Sequence, residues 1–278
     1  MRNASYTKMK ILIALLLFVT GAIAQTAGQA SAQTAPKSNQ DIAAANTKQA
    51  RDVIDKCIRA LGGDAYLNIK DIEQEGRGYG FYHNAPAGVG VMYWRDYKYP
   101  DKERYEFTKK RDWIIIHNGD KGYEVTYRGS RPEAATDHAT YERRRHYALD
   151  LVLRDWIHQA GAAFFYEGTT VVGPKTVHQV TIMDAQNQGV TLFIDVDSFL
   201  PVKKSYSWRD PQYKEMDTEE ELYDEYRLEQ GLPTPHVITR MLNKEMTSQR
   251  FITSVKYNSG LSDSLFVPPT LNYDKMKK

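Results

Sequence analysis

Apolar residues recur at two different spacings along this chain, and the change of spacing separates predicted helix from predicted sheet. In the segment TKQARDVIDKCIRALGG, residues 47–63, they lie three and four positions apart, which predicts an amphipathic helix. The Gly62-Gly63 pair predicts its end, because glycine adopts the left-handed backbone that commonly follows a helix. The face expected to be buried consists of Ala50, Val53, Ile54, Cys57, Ile58 and Leu61.

From residue 72 onward, short runs of β-branched and aromatic residues alternate with polar ones and are separated by turn residues. This pattern predicts antiparallel strands. Asn118-Gly119 is a hairpin signal between two of them. We predict about a dozen strands, near residues 72–82, 88–96, 102–109, 112–118, 122–128, 163–172, 175–184, 189–196, 201–208, 219–229, 235–243 and 247–257.

A single long helix is predicted to interrupt these strands at residues 139–159. Residues 141–159 of this segment read YERRRHYALDLVLRDWIHQ. Its apolar residues from Ala148 to Ile157 cover more than a narrow stripe, so it must be covered on most sides. Strands such as 112–118 and 189–196 are also apolar on both faces, whereas a sheet with one solvated face alternates cleanly. We therefore expect a helix against one face and a ligand against part of the other.

The N-terminal segment predicts export. Residues 1–10 carry three basic residues and no acid, residues 11–24 are almost wholly apolar, and Ala22-Ile23-Ala24 is a signal-peptidase site. We expect a cleaved signal peptide at 1–24, a flexible linker at 25–46, and one domain at 47–278, located in the periplasm of a Gram-negative-type envelope. The whole chain has a net charge of +2. Removing the three charges of the signal peptide leaves about −1, which gives no basic field for nucleic acid.

Residues with catalytic potential are scattered. The seven histidines show no metal-ligand spacing, and the single cysteine, Cys57, excludes an internal disulfide. Nucleophile-elbow, phosphate-binding and dinucleotide-binding motifs are absent from the sequence. We therefore expect no catalytic residues, no metal and no cofactor, and a binding protein instead of an enzyme. The one local pair to test for hydrolysis is His117 with Asp120.

Five segments, in the same order, resemble motifs of the LolA/LolB-like outer-membrane lipoprotein-sorting family. The resemblance implies an unclosed antiparallel β-barrel of about eleven or twelve strands wrapped round helices, a mainly β (α+β) fold. It also implies a cavity that accepts acyl chains of lipids or lipoproteins in the periplasm. No cysteine stands at the cleavage zone, which argues against a lipid-anchored acceptor. The segments are IRALGGDAYLNIKDI (58–72), WIIIHNGDKGYEV (113–125), VTLFIDVDSFLPVKKSYSW (190–208), DEYRLEQGLPTPHVITRML (224–242) and NSGLSDSLFVPP (258–269).

These patterns lead to a primary hypothesis and an alternative. The primary one is a soluble, monomeric periplasmic protein that binds acyl chains for envelope sorting or transport, with an envelope membrane complex as a further partner. The alternative is a sensor or scaffold module that binds a protein partner. Arg143, Arg144 and Arg145 are the expected rim for a head group or partner. From the alternation of apolar and polar residues alone, we expect the lipid-binding residues to be Trp94, Phe107, Trp113, Ile115, Tyr123, Trp156, Leu192 and Ile194.

Overall fold

A computed structural model describes residues 38–269, so the predicted signal peptide and most of the predicted linker lie outside the described residues. The helices are α1 (Asn39–Leu61), α2 (Asp64–Leu67), α3 (Ala135–His146) and α4 (Leu149–Arg154), with 3₁₀ turns at Trp156–His158 and Asp263–Phe266. The strands are β1 (Asp71–Tyr82), β2 (Ala85–Pro86), β3 (Val91–Lys98), β4 (Lys102–Phe107), β5 (Trp113–Asn118), β6 (Lys121–Thr126), β7 (Gly129–Pro132), β8 (Ala163–Val172), β9 (Lys175–Met183), β10 (Gly189–Asp195), β11 (Pro201–Arg209), β12 (Met216–Glu229), β13 (Leu232–Leu242) and β14 (Glu245–Tyr257).

The strands of the described region form one antiparallel sheet of 14 strands, in the order β7-β6-β5-β4-β3-β1-β14-β13-β12-β11-β10-β9-β8, with β2 paired only to β1. Because β7 and β8 are the two ends of this order and do not pair, the sheet is an unclosed barrel. The predicted fold class is confirmed. Every predicted strand is present, and the short strands β2 and β7, which contain proline or glycine, were not predicted.

Helix α1 confirms the predicted amphipathic face. All six expected residues are buried, and Gly62 follows the helix with a positive φ of 124°. The helix begins earlier than predicted, because Ser38 and Asp41 form a reciprocal capping box. Residues 39–46 are therefore helical, and this part of the predicted linker is corrected.

The predicted single helix at 139–159 is wrong: the structure has α3, α4 and a 3₁₀ turn, separated at Tyr147 and Ala148. The carbonyl of Tyr147 accepts a hydrogen bond from the buried Nζ of Lys204 at 2.9 Å. The Tyr147 ring also stacks on Tyr206, with centroids 4.1 Å apart. These contacts with β11 hold residue 147 out of a continuous helix, so that the two halves contact different parts of the sheet.

The concave face of the sheet is divided between a packed half and an open half. Helices α1 and α4 pack on β8–β11 around a core that includes Leu192, Ile194 and Trp156. Helix α3 lies over the remaining strands and leaves space beneath it. On the outer face of β5 and β6, the C-terminal segment buries Phe266 against Ile116 and Val125. Strand β5 is therefore apolar on both faces because one contacts the cavity and the other contacts this segment.

Candidate ligand-binding cavity

A cavity of about 860 Å³ lies between α3 and the concave face of the sheet. One wall is apolar and aromatic, and its residues come from β1, β3, β4 and β5. Trp113 and Val91 at its mouth are partly exposed. The ring of Tyr105 stacks on Phe107 with centroids 5.6 Å apart. The apolar wall consists of Ile72, Tyr79, Val91, Tyr93, Tyr105, Phe107, Trp113 and Ile115.

The opposite part of the cavity is ionic. Glu221 on β12 accepts contacts from Lys204 at 3.1 Å and Arg240 at 2.9 Å. Burial opposes ionisation of Glu221, but these cations and Arg250 outweigh it and lower the pKa of the carboxyl well below its usual value. We call the charged side chains in this part of the cavity the charged cluster. It consists of Arg144, Lys204, Glu219, Glu221, Arg240 and Arg250.

Helix α3 is attached to the sheet through arginines in its last turn. Arg145 donates to both oxygens of Asp150 and to the carbonyl of Pro100. Arg144 donates to both oxygens of Glu219. Because the last turn carries the negative end of the helix dipole, cations are favoured here. The helix predicted at 139–159 would have these arginines near its start, whereas the structure has them in the last turn of α3.

The structure brings some of the expected lipid-binding residues together. Phe107, Trp113 and Ile115 line the cavity. Trp94 does not, because its neighbours Tyr93 and Arg95 occupy the cavity face of β3. The side chain of Trp94 contacts the guanidinium of Arg111 instead.

The remaining expected residues lie elsewhere in the fold. Tyr123 packs with the cluster around Phe266 on the outer face. Trp156, Leu192 and Ile194 are core residues under α1 and α4, because that half of the concave face is filled by helices. Of the expected rim, Arg144 and Arg145 line the cavity, and Arg143 stacks over the ring of Trp208.

Sequence reasoning missed Tyr93 and Tyr105, two central members of the apolar wall. The register of the strand pairing determines which side chains face the cavity. Tyr105 is opposite Ile115, and Arg95 is opposite Tyr105. Residues that are directly opposite share a face, so Ile115 places Tyr105 and then Arg95 in the cavity. Register is a long-range property, and alternation within β3 alone does not decide which set points inward.

Three further side chains converge at the end of the cavity beneath the start of α3. The Nε2–H of His117 donates to Oε2 of Glu133 at 2.8 Å, and His138 Nδ1 lies 3.5 Å from the same oxygen. The expected pairing of His117 with Asp120 is replaced by this contact, since Asp120 offers its carbonyl to His138. No metal site was expected from the sequence, because these residues are not at a recognised ligand spacing.

No family model matches the chain, and no curated protein matches it in sequence. Solved structures do match. A DUF1329 family protein from Desulfovibrio piger has a TM-score of 0.55 and 12% identity, covering 78% of this chain and 97% of that one. A domain of the outer membrane lipoprotein-sorting type from Vibrio parahaemolyticus has a TM-score of 0.52 and 9% identity, covering 80% and 97%. A LolA superfamily protein from Nitrosomonas europaea has a TM-score of 0.49 and 13% identity, covering 78% and 97%.

The first two similarities show a shared fold. The lipoprotein-sorting fold suggested by the five sequence motifs is therefore the fold of this chain. None of the helices within residues 38–269 has the length and hydrophobicity that crossing a bilayer requires.

Proposed function

We propose that this chain binds the acyl chains of lipids or lipoproteins in the cavity beneath α3 and carries them within the bacterial envelope. The observation that carries the proposal is the aromatic and aliphatic wall of a cavity of about 860 Å³. This volume lies within the range of about 300–1,000 Å³ that is common for ligand sites. Transfer of each methylene group from water to such a wall contributes about 0.8 kcal/mol.

The charged cluster supports an anionic head group on the same ligand. Its four cations face two carboxylates, so the cluster has a formal charge of about +2. Arg250 has the longest contact with Glu221, 3.6 Å, and also donates to the hydroxyl of Tyr105 on the apolar wall. A phosphate or carboxylate bound near Arg250 would place its alkyl chain along that wall.

The proposed location is the periplasm. It rests on the signal-peptide pattern of residues 1–24 and on the lipoprotein-sorting fold. A monomeric carrier that exchanges cargo with an envelope membrane complex fits both. Displacement of α3 would open the cavity, because this helix lies between the cavity and solvent and is held mainly through its last turn.

The decisive experiment is native mass spectrometry of the full mature chain purified from its own envelope, with organic extraction of bound material. We expect a co-purifying lipid or acylated peptide. In parallel, a fluorescent long-chain fatty acid is titrated into the delipidated protein. Ile115→Trp should fill part of the cavity and weaken binding at least tenfold, whereas Trp94→Ala, outside the cavity, should not. An apo mass together with no fatty-acid uptake would overturn the proposal.

A second candidate function is protein binding at the exposed end of the sheet. Strand β8 is an end strand, and Val171 on it is 67% exposed. The opposite end of β8 is protected, since the amide of Asn46 bonds both the N–H and the carbonyl of Tyr166. A partner would therefore pair near Val171, and Val171→Lys should abolish partner cross-linking in the envelope without changing fatty-acid binding.

A further inference from the structure

The side chains of His117, Glu133 and His138 form a cluster with the composition of a metal site. One ligand atom from each lies within 4.8 Å of the others. His117 is on β5, Glu133 directly follows β7, and His138 is in the first turn of α3. The side chain of His117 is only 5% exposed, so its ring is held in place by the surrounding residues.

The hydrogen bonding of His138 directs a lone pair into this cluster. Its Nε2 lies 3.0 Å from the carbonyl of Asp120, which can only accept, so Nε2 carries the proton. In the neutral ring, Nδ1 is then an acceptor. This buried Nδ1 has no hydrogen-bond partner and faces the carboxylate of Glu133 at 3.5 Å. Two acceptors placed this way repel each other unless a proton or a metal ion lies between them.

The backbone leaves room for that cation at Gly122, which is directly opposite His117 in the β5–β6 pairing. A Cβ atom at this position would lie 2.5 Å from Oε2 of Glu133 and 2.6 Å from Nδ1 of His138. Any side chain at position 122 would therefore occupy the space between these two candidate ligand atoms. Glycine keeps it free.

The cluster is accessible and its rings are oriented. His117 and Glu133 line the main cavity, while Glu133 and His138 also line a second cavity of about 380 Å³ at Asp120–Tyr123. Tyr141 stacks flat on His117, with ring centroids 3.4 Å apart. Contact between a ligating histidine and a backbone carbonyl, as between His138 and Asp120, is the usual way in which a metal ligand is oriented.

We propose that His117, Glu133 and His138 bind one divalent transition-metal ion, with zinc as the best match to two imidazoles and a carboxylate. Zinc sites of this type have bonds of about 2.0–2.2 Å and a fourth position for an external oxygen. Tetrahedral bonds of that length separate ligand atoms by about 3.3 Å. The observed separations from Glu133, 2.8 and 3.5 Å, bracket this value. His117 would bind through Nε2 as the neutral tautomer that carries its proton on Nδ1, so the proton that Nε2 donates to Glu133 would move to Nδ1 on metal uptake.

This inference is independent of the proposed acyl-chain binding. The test is calorimetric titration of the full chain, after chelator treatment, with Zn²⁺ alone, followed by the visible spectrum with Co²⁺. We expect one equivalent of Zn²⁺ and a Co²⁺ spectrum of four- or five-coordinate type. His138→Ala, which removes a ligand, and Gly122→Ala, which keeps all three but fills the space between them, should each weaken binding about 100-fold or more.

The matched control is His83→Ala, which removes an exposed histidine that contacts Glu245 and is not part of the cluster. It should bind Zn²⁺ as the unaltered chain does. Circular dichroism and fatty-acid titration of Gly122→Ala should show an intact fold and cavity. Absence of one-to-one binding in the unaltered chain, or an affinity in Gly122→Ala and His138→Ala equal to that of the unaltered chain, would overturn the proposal.

Discussion

Arg144 in the last turn of α3 is joined to Glu219 on β12 by a bidentate ion pair, with its Nε and a terminal nitrogen 2.8–3.0 Å from the two carboxylate oxygens. Glu219 is almost fully buried, its side chain being 4% exposed, and it also accepts from Tyr206. A helix that closes the cavity is thus attached to the opposite wall through a paired buried charge.

Replacing Arg144 with methionine should destabilise the protein and loosen α3. Loss of the guanidinium leaves the buried carboxylate of Glu219 with Arg240 at 3.4 Å and with Tyr206. We expect the free energy of unfolding, measured by urea denaturation, to fall by about 1–3 kcal/mol. Fatty-acid dissociation, measured by stopped flow, should become faster. The control is Arg143→Met, which removes a guanidinium that stacks on Trp208 and donates a long hydrogen bond to Thr140, and it should cost about 1 kcal/mol or less. Equal losses in the two variants would contradict this role for Arg144.

Asp150 should make the protein sensitive to acid. Burial opposes its ionisation, but the guanidinium of Arg145 and the hydroxyl of Tyr97 outweigh burial and lower the pKa to about 2. Since an unfolded carboxyl titrates near 3.9, ionised Asp150 stabilises the fold above about pH 4, and this stabilisation is lost as the pH falls toward 2. Because Asp150 is partly exposed to solvent, its ionisation contributes about 1–2 kcal/mol to the free energy of unfolding.

The measurement is the free energy of unfolding between pH 7 and pH 2.5. Asp150→Asn should be less stable than the unaltered protein at pH 7, and the difference should shrink below pH 4. Asp52→Asn, which removes an exposed ion pair with Lys48 on α1, should instead follow the unaltered acid profile. An acid profile unchanged by Asp150→Asn would show that this carboxyl does not account for the pH dependence.

Phe266 should be the main stabilising residue of the C-terminal segment. It is fully buried against Ile116 and Val125 on the outer face of β5 and β6. Its replacement by alanine should cost about 3–5 kcal/mol and lower the Tm. Val267, the next residue, is 57% exposed, so that Val267→Ala should change the Tm little. If Phe266→Ala melts like Val267→Ala, this segment does not stabilise the sheet.

Cys57 should be unreactive in the native protein. It lies on the buried face of α1 and is fully buried, and burial raises the pKa of its thiol. Alkylation therefore requires opening of α1, and the native rate should be at least about 10³-fold below that of the chain in denaturant. Quantitative thiol titration at pH 8, with and without denaturant, measures the ratio. Rapid stoichiometric labelling of the native chain would mean that α1 opens freely.

Short-range patterns were sufficient for the elements whose formation depends on neighbouring residues. The spacing of Val53, Ile54 and Cys57 places them on one helical face in any context, and the structure buries that face. The Asn118-Gly119 signal likewise lies at the β5–β6 turn, where Gly119 has a positive φ of 62°. The apolar residues on both faces of β5 predicted a helix against one face and a ligand against the other. In the structure the C-terminal segment covers one face and the other lines the cavity.

Contacts between distant residues decided the features that local patterns could not predict. The break after α3 depends on Lys204 of β11, and the inward face of β3 depends on its register with β4. The cavity itself exists because α1 and α4 fill only one half of the concave face. The approach of His138 to His117 depends on the pairing of β5, β6 and β7, which returns the chain to the same place. Periodicity shows which residues share a face. Packing across the whole sheet determines which surface that face contacts.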